Sequence, residues 1–262
     1  MQPANKDLDF FECRHGLGYT RITGARAGLR AECLFLVPRG IAVEVHQVTL
    51  ANETDRPKAL DLFSLRGMMP LECRRRYDQF QRNLSTGEVE VEGSTIYHKT
   101  EYRERRKHYA FMGPVAGFDT DRDSFLGPYR GLYAPQAVEE GRARNSFASG
   151  WTPIASHHLQ LTLGTGEAKT LIFVLGYAEN PPERKWAAKG VINKELALAI
   201  LSRFTRTEQA RAVLDELRSY WDEILSHYVL GAPGPEALSH GQRLEPVPVH
   251  GGLQPLAQRF LL

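Results

Sequence analysis

From Leu29 to Tyr177 the sequence reads mostly as strands, with apolar residues at every second position in several stretches. The stretch "TGEVEVEG" (86–93) is the clearest case, with Val89 and Val91 on one side and Glu88, Glu90 and Glu92 on the other. Successive side chains of an extended chain point to opposite faces, so this is a half-buried strand. In "IAVEVHQVTL" (41–50), Ile41, Val43 and Val45 share a face. The polar cluster "ANETDRPK" follows, then "ALDLFSL", and that order predicts a hairpin. "HLQLTL", "GTGEAK" and "TLIFVLGY" repeat the scheme and predict a second one. Many strands, short turns and no interleaved helices predict a mainly β fold. Its form is an antiparallel sandwich whose two sheets each bury one face against the other.

The period changes after "ENPPERK" (179–185). "NKELALAILSRF" (193–204) reads as a helix with Asn193 as its N-cap. A longer helix is predicted over 205–229, where Ala210, Val213, Leu214, Leu217, Trp221, Ile224, Leu225 and Tyr228 form one stripe. Thr205 and Glu208 fit a capping box. Such a stripe needs a surface to cover, and the sandwich is the one at hand. Three segments result: a β-sandwich over 1–180, a pair of linker α-helices over 181–230, and an irregular tail over 231–262.

The 262 residues suffice for one large domain or two small ones. A net charge of +2 gives no strong field for nucleic acid or an anionic membrane surface. The longest apolar runs are too short to span a bilayer. "MQPANKDLDF" lacks the basic and apolar regions of a secretion signal, so a cytoplasmic location is expected. Cys13, Cys33 and Cys73 are odd in number and widely spaced, which predicts buried or idle thiols rather than a disulfide framework or zinc site.

Few residues present themselves as chemistry. "FDTDRDSFLG" (118–127) begins like a calcium loop, but Ser124 and Arg130 stand where an EF-hand needs Gly and Glu. A turn rich in Asx hydrogen bonds is the expectation there. His157 and His158 are adjacent, and on a strand they would point to opposite faces, which suits no shared metal. The basic run in "HKTEYRERRKHYAF" (98–111) is interrupted by Glu101 and Glu104 and reads as a solvated or ion-paired strand face. "HGLG" (15–18) and "NLSTG" (83–87) lack the spacing and context of a phosphate loop and a nucleophile elbow. No catalytic residue and no metal ligand is nominated.

Several longer stretches carry a resemblance: "FECRHGLGYTRITG" (11–24), "FQRNLSTGEVEVEGSTIYHKTEYRERRKHYAF" (80–111), "GFDTDRDSFLG" (117–127), "NSFASGWTPIASH" (145–157) and "FVLGYAENPPERKWAAKGVINK" (173–194). Together they resemble the cellobiose phosphorylases of glycoside hydrolase family 94, collinearly from about Asp7 to Tyr228. The resemblance implies an N-terminal supersandwich, a helical linker, a large helical barrel and a small C-terminal sheet domain. It implies phosphorolysis of cellobiose or a related β-glucoside to glucose 1-phosphate and glucose, with inversion. The general acid is an Asp of the barrel, inorganic phosphate is the co-substrate, and no other cofactor is needed. Homodimers are also implied. The chain matches the sandwich and linker only, with the first strands of the sandwich missing. One site residue carries over: Arg82, the Arg of "QRN", would help hold the acceptor sugar when a barrel is present. The expectation is a truncated phosphorylase, inactive alone. The alternative is a stand-alone carbohydrate-binding or scaffolding sandwich.

Two departures from the family pattern fit shifts of reading frame. "HGQRLEPVPVHG" (240–251) stands where the family has a segment like MVNVWNQYQCMV. Suitable codons for it, read one nucleotide later, spell nearly that segment, so the tail is expected to be out of frame. "LECRRRYD" (71–78), likewise shifted, can encode the family-like WNAADDMT. Arg74, Arg75 and Arg76 then stand where a sandwich wants apolar side chains. A damaged or rerouted strand, exposed rather than buried, is expected over 65–78.

Overall fold

The computed structural model describes residues 7–67, 87–99, 105–150 and 153–227. The chain opens as a meander: β1 (Phe10–Gly16), β2 (Tyr19–Arg26), β3 (Leu29–Leu36) and β4 (Val43–Asn52). Next come β5 (Lys58–Gly67), β6 (Gly87–Glu92), β7 (Thr95–Lys99), β8 (Arg105–Phe111) and β9 (Gly117–Asp119). Two short helices, α1 (Arg122–Leu126) and α2 (Gln136–Glu139), precede β10 (Ser149–Gly150), β11 (Ile154–Leu163) and β12 (Ala168–Glu179). A small ribbon, β13 (Trp186–Ala188) and β14 (Val191–Ile192), leads to α3 (Glu195–Leu201) and α4 (Thr207–Ser226). The described strands form a nine-stranded sheet in the order β1-β2-β3-β4-β12-β8-β7-β6-β10 and a three-stranded sheet in the order β5-β11-β9. The neighbouring strands pair antiparallel. This is the mainly β sandwich that the alternation predicts.

The period of two sorts side chains between layers. From the large sheet Ala31, Cys33, Val48, Leu50, Ile96, Tyr109, Phe111 and Phe173 meet Leu62, Ala155, Leu159 and Leu163 of the small sheet in the central core. Their immediate neighbours Leu34, Leu36, Val43, Val45, Ala110, Ile172 and Val174 point the other way and pack under Leu201, Phe204, Ala210, Leu214 and Leu217. The first half of the helical stripe, to Leu217, therefore has its surface, the outer face of the large sheet, whereas Leu225 of the predicted stripe is 46 % exposed and Tyr228 lies outside the described residues. The packing on this outer face is why the central strands are apolar on both sides. On the far side, Phe63 and Ile154 of the small sheet lie against Phe125, Leu126 and Ala137 of α1 and α2. Half-buried β6 behaves as read, with Val89 and Val91 packed on the central core.

Both predicted hairpins are instead arches between sheets. β4 and β5 do not pair with each other; β4 pairs with β12 and β5 with β11. The two polar clusters carry the chain from one sheet to the other, side by side. Asn52, 1 % exposed, is the reason they stay together. Its Nδ2 donates to the carbonyls of Arg56 (2.7 Å), Leu163 (3.3 Å) and Gly164 (2.9 Å). Its Oδ1 accepts from the Thr54 amide (3.1 Å) and hydroxyl (2.7 Å). Sequence alternation sees the strands and the polar turn, but not which sheet the second strand joins.

The helix starts shift slightly. The N-cap of α3 is Lys194, without a side-chain cap, and the predicted cap Asn193 sits one position earlier, where its Oδ1 accepts from the Glu195 amide (3.0 Å). At α4 the reciprocal contact comes from Gln209, whose Oε1 accepts from the Arg206 amide at 2.9 Å, one residue along from the predicted box. Gly18, at φ +80°, closes the β1–β2 turn where Leu217 Cδ2 comes within 3.1 Å of where a Cβ would sit. β5 also departs from expectation. It runs regularly to Gly67, and Arg66 is buried within it rather than exposed. The rest of the suspect segment, 68–78, and the tail from 228 lie outside the described residues.

Candidate functional site

The sandwich interior is apolar at one end and polar at the other. Along β4 the inward residues run Leu50, Val48, His46, Glu44; along β5 they run Leu60, Leu62, Ser64, Arg66. β11 contributes His157 beyond Leu159, and β8 contributes Tyr109 beyond Phe111. Here the two sheets enclose an arginine, two histidines, a tyrosine and a glutamate. Arg66 is 4 % exposed, and His46, Tyr109 and His157 are fully buried.

The Glu44 carboxylate can only accept and the Arg66 guanidinium can only donate, which dictates the state of the ring between them. His46 Nε2–H donates to Glu44 Oε1 at 2.7 Å, and Arg66 Nη2 lies against both ring nitrogens, 2.6 Å from Nε2, with the free acceptor Nδ1 taking its hydrogen bond. Burial, helped by the Arg66 charge, pushes His46 down to about 4 and keeps it neutral. Burial works to raise the Glu44 carboxyl, but its His46 hydrogen bond and the Arg66 charge outweigh it and hold it below the ordinary range. Arg66 lies 3.8 Å from Glu44 and stacks its guanidinium near the rings of Phe35 (5.9 Å) and Tyr109 (5.8 Å). The charges cancel, which is the condition for keeping them inside a sandwich.

Ser64 and His157 extend the cluster across the small sheet. Ser64 Oγ lies 3.3 Å from His157 Nδ1 and accepts from the His157 amide at 3.3 Å. The His157 ring leans against Tyr109 (5.0 Å) and Phe173 (6.2 Å), and burial pushes it down to about 4. The Tyr109 phenol is raised, chiefly by burial. At neutral pH the cluster thus holds one fixed cation, one fixed anion and neutral rings. Neither Glu44 nor the two histidines is poised to give up a proton near pH 7, so the cluster positions groups rather than protonating a glycosidic oxygen.

Arg82, the one site residue carried over by resemblance, lies outside the described residues, as do Cys73 and Arg74–Arg76. His157 and His158 do face opposite ways. His158 stacks flat on Phe63 (4.3 Å between centroids) and donates to Asp61 at 2.7 Å. In the calcium-like loop, Asp121 caps α1 through the Ser124 amide (2.7 Å). Buried Asp119 accepts from the amides of Arg144 and Ser146 and the Ser146 hydroxyl. Both are hydrogen-bond organisers of turns. Among the described residues no group of three or more His, Cys, Asp or Glu side chains could hold a metal ion. The basic run is ion-paired at Lys99, which nevertheless is buried: its Nζ meets Glu88 (2.8 Å), Glu90 (3.0 Å) and the Gly190 carbonyl (2.6 Å). With Lys194 bound to Glu90 and Glu92, this network clamps the β13–β14 ribbon onto β6 and β7. Cys33 is buried as expected, while Cys13 is exposed. No helix among the described residues is long and apolar enough to cross a membrane.

Sequence reading misses the Glu44–His46–Arg66 cluster because its members lie on strands of different sheets. One signal was present: Glu44 and His46 share the β4 face that carries Val48 and Leu50, a polar pair inside an apolar stripe.

A two-layer antiparallel sandwich, braced by helices on its large sheet and closed around a charge-neutral polar seam, defines a β-supersandwich. The family model "Glycosyl hydrolase 94, supersandwich domain" matches residues 1–206, and the chain belongs to that family. Among curated proteins it is 29% identical over 217 residues to the solabiose phosphorylase of Paenibacillus borealis, covering 79% of this chain and 28% of that protein. It is 27% identical over 239 residues to the N,N'-diacetylchitobiose phosphorylase of Vibrio proteolyticus, covering 88% of this chain and 28% of that protein. The chain thus spans less than a third of the length of these relatives. A solved structure assigned as a kojibiose phosphorylase from the human microbiome shares the fold, with TM-score 0.50 and 10% identity over 82% of this chain and 25% of that one.

Proposed function

We propose that this chain is the sandwich part of an inverting disaccharide phosphorylase acting on cellobiose or a related β-glucoside with inorganic phosphate, and that it is inactive by itself. The family match over residues 1–206 carries the proposal. The relatives are named for phosphorolysis of disaccharides, and the chain corresponds to 28% of two of them. The polar seam supports inactivity: cleaving a glycosidic bond needs a positioned acid, and here Glu44 is held ionised and His46 and His157 neutral. In this reading Arg82 holds the acceptor sugar only beside a barrel.

The test is incubation of the purified chain with cellobiose and phosphate. The expected result is no glucose 1-phosphate, and its formation at enzymatic rates would overturn the inactivity. Calorimetric titration with glucose and cellobiose addresses the stand-alone sugar-binding alternative, because saturable binding by the chain alone would favour that reading instead.

A further inference from the structure

His108, on β8, is a buried imidazole without a hydrogen bond. His46, His157 and His158 each meet a partner: Glu44, Ser64 and Asp61 respectively. His108 is 1 % exposed, and neither its Nδ1 nor its Nε2 has one. A neutral imidazole carries one donor and one acceptor, and leaving both dry costs stability. Such a group calls for a physical explanation.

The sheet makes a place for this ring. Along one row Glu90 of β6 pairs with Tyr97 of β7, Tyr97 with His108, His108 with Gly176 of β12, and Gly176 with Val43 of β4. Residues directly opposite one another share a face, and here it is the outer one. The ring fills the space where a Cβ of Gly176 would sit. What covers the row is α3 and the ribbon before it. On one side of His108, Tyr97 packs with Ile192 of β14 and Ala197 of α3. Beyond it, Ala110, Val174 and Val43 pack with Leu201 of α3. Ala197 and Leu201 are one helical turn apart, so α3 bridges the two clusters across the position of His108.

The charged groups around this row answer to one another and not to the ring. Glu88 and Glu90 of β6 hold Lys99 of β7, and Glu90 and Glu92 hold Lys194, just before α3. Lys194 Nζ stands 5.0 Å from the centre of the Tyr97 ring, whose phenol is raised chiefly by burial. The facing positions of β12 and β4 are Gly176 and Val43, and α3 and α4 bring Leu201, Ala210, Leu214 and Leu217 to this side of the sheet. Burial alone lowers His108, to about 4.

We propose that His108 is a proton-operated latch under the helical linker: acid lifts α3 and the β13–β14 ribbon off the large sheet while the two sheets stay packed. Covered, the ring has no acceptor for the N–H that a second proton would create. Uncovered, both nitrogens meet water and the ring takes the proton at its ordinary value. Protonation therefore favours the uncovered form, and the preference grows as pH falls through the interval between the two values. His46 and His157 lie between the sheets, and lifting α3 leaves them buried.

Amide hydrogen exchange of the full chain between pH 7.5 and 5 tests this, expressed as protection factors so that the intrinsic pH dependence of exchange drops out. A ring that titrates at about 4 when covered and near 6.5 when uncovered favours opening about thirtyfold more at pH 5 than at pH 7.5. Protection of the α3 amides of residues 198–201 should fall by that factor, while the amides of β4 remain better protected than those of α3 throughout. His108→Gln cannot take the proton and should leave α3 protection flat over the same range. Three results would each overturn the proposal: α3 protection in the wild type that ignores pH, α3 protection that falls only in step with β4, or a pH dependence that persists in His108→Gln. The first two need no variant, so they decide the matter even if His108→Gln does not fold.

Discussion

The side-chain amide of Asn52 donates to the carbonyl of Gly164 at 2.9 Å, joining two arches more than a hundred residues apart in sequence. The same amide reaches Arg56 and Leu163, and its oxygen takes two donors from Thr54. Replacing it strands buried carbonyls away from water. Asn52→Ala is expected to cost about 2–4 kcal/mol, the combined loss of several buried hydrogen bonds. Urea denaturation should show a lower midpoint with the slope unchanged.

A second prediction concerns the close approach of His108 to Gly176. A Cβ built on Gly176 would lie 2.1 Å from His108 Nε2, so the ring occupies the space a side chain would need. Gly176→Ala should destabilise by about 1–3 kcal/mol through overpacking. In the background of His108→Ala the same change should cost much less, because the obstacle is gone. Additive penalties in this double-mutant cycle would show that the clash does not govern the site.

Acid sensitivity follows from three buried imidazoles. Burial is the first cause in each case, and it pushes His46, His108 and His157 down to about 4. The unfolded chain binds these protons near pH 6.5. The unfolded state therefore holds more protons below that value, and stability falls as pH drops from about 6.5 towards 4. Each ring contributes up to about 2 kcal/mol of loss at pH 5. Thermal melts from pH 7.5 to 5 should show this decline, and His108→Phe should lessen it if the larger ring is accommodated over Gly176.

The Glu44–His46–Arg66 seam yields a fourth expectation. Arg66→Met leaves Glu44 without its nearby cation in a largely enclosed place, and breaking such a pair costs about 3–5 kcal/mol. The His46 ring loses the charge that helps keep it neutral, so its midpoint should rise from about 4. Histidine chemical shifts followed against pH would report that rise separately from the change in stability.

Much of this architecture was legible in the alternation. The period of two placed Val89 and Val91 inward, and the stripe from Ala210 to Leu217 found the sheet it required. What alternation could not supply was the partner of each strand. "ANETDRPK" and "GTGEAK" look like hairpin turns because a polar loop between two strands has the same composition whether the chain folds back or crosses between layers. The crossing itself shows only in the strand pairings, and a single buried asparagine then ties the two loops together. The polar seam was hidden for a related reason: Arg66 meets His46 only once the sheets stack, twenty residues apart in sequence. Its one local trace was a glutamate and a histidine on an otherwise apolar face.

The pairing of β4 with β12 sets the order in which the protein can be completed. Thr49 and Thr170 touch across that seam although 121 positions separate them. A ribosome making the chain releases the meander β1–β4 long before the strand that will lie beside β4 exists. During that interval β4 is itself a bare margin, apolar on both sides, and contacts so distant in sequence form slowly. Synthesis rate and chaperone supply, more than final stability, are therefore expected to govern the yield of native protein.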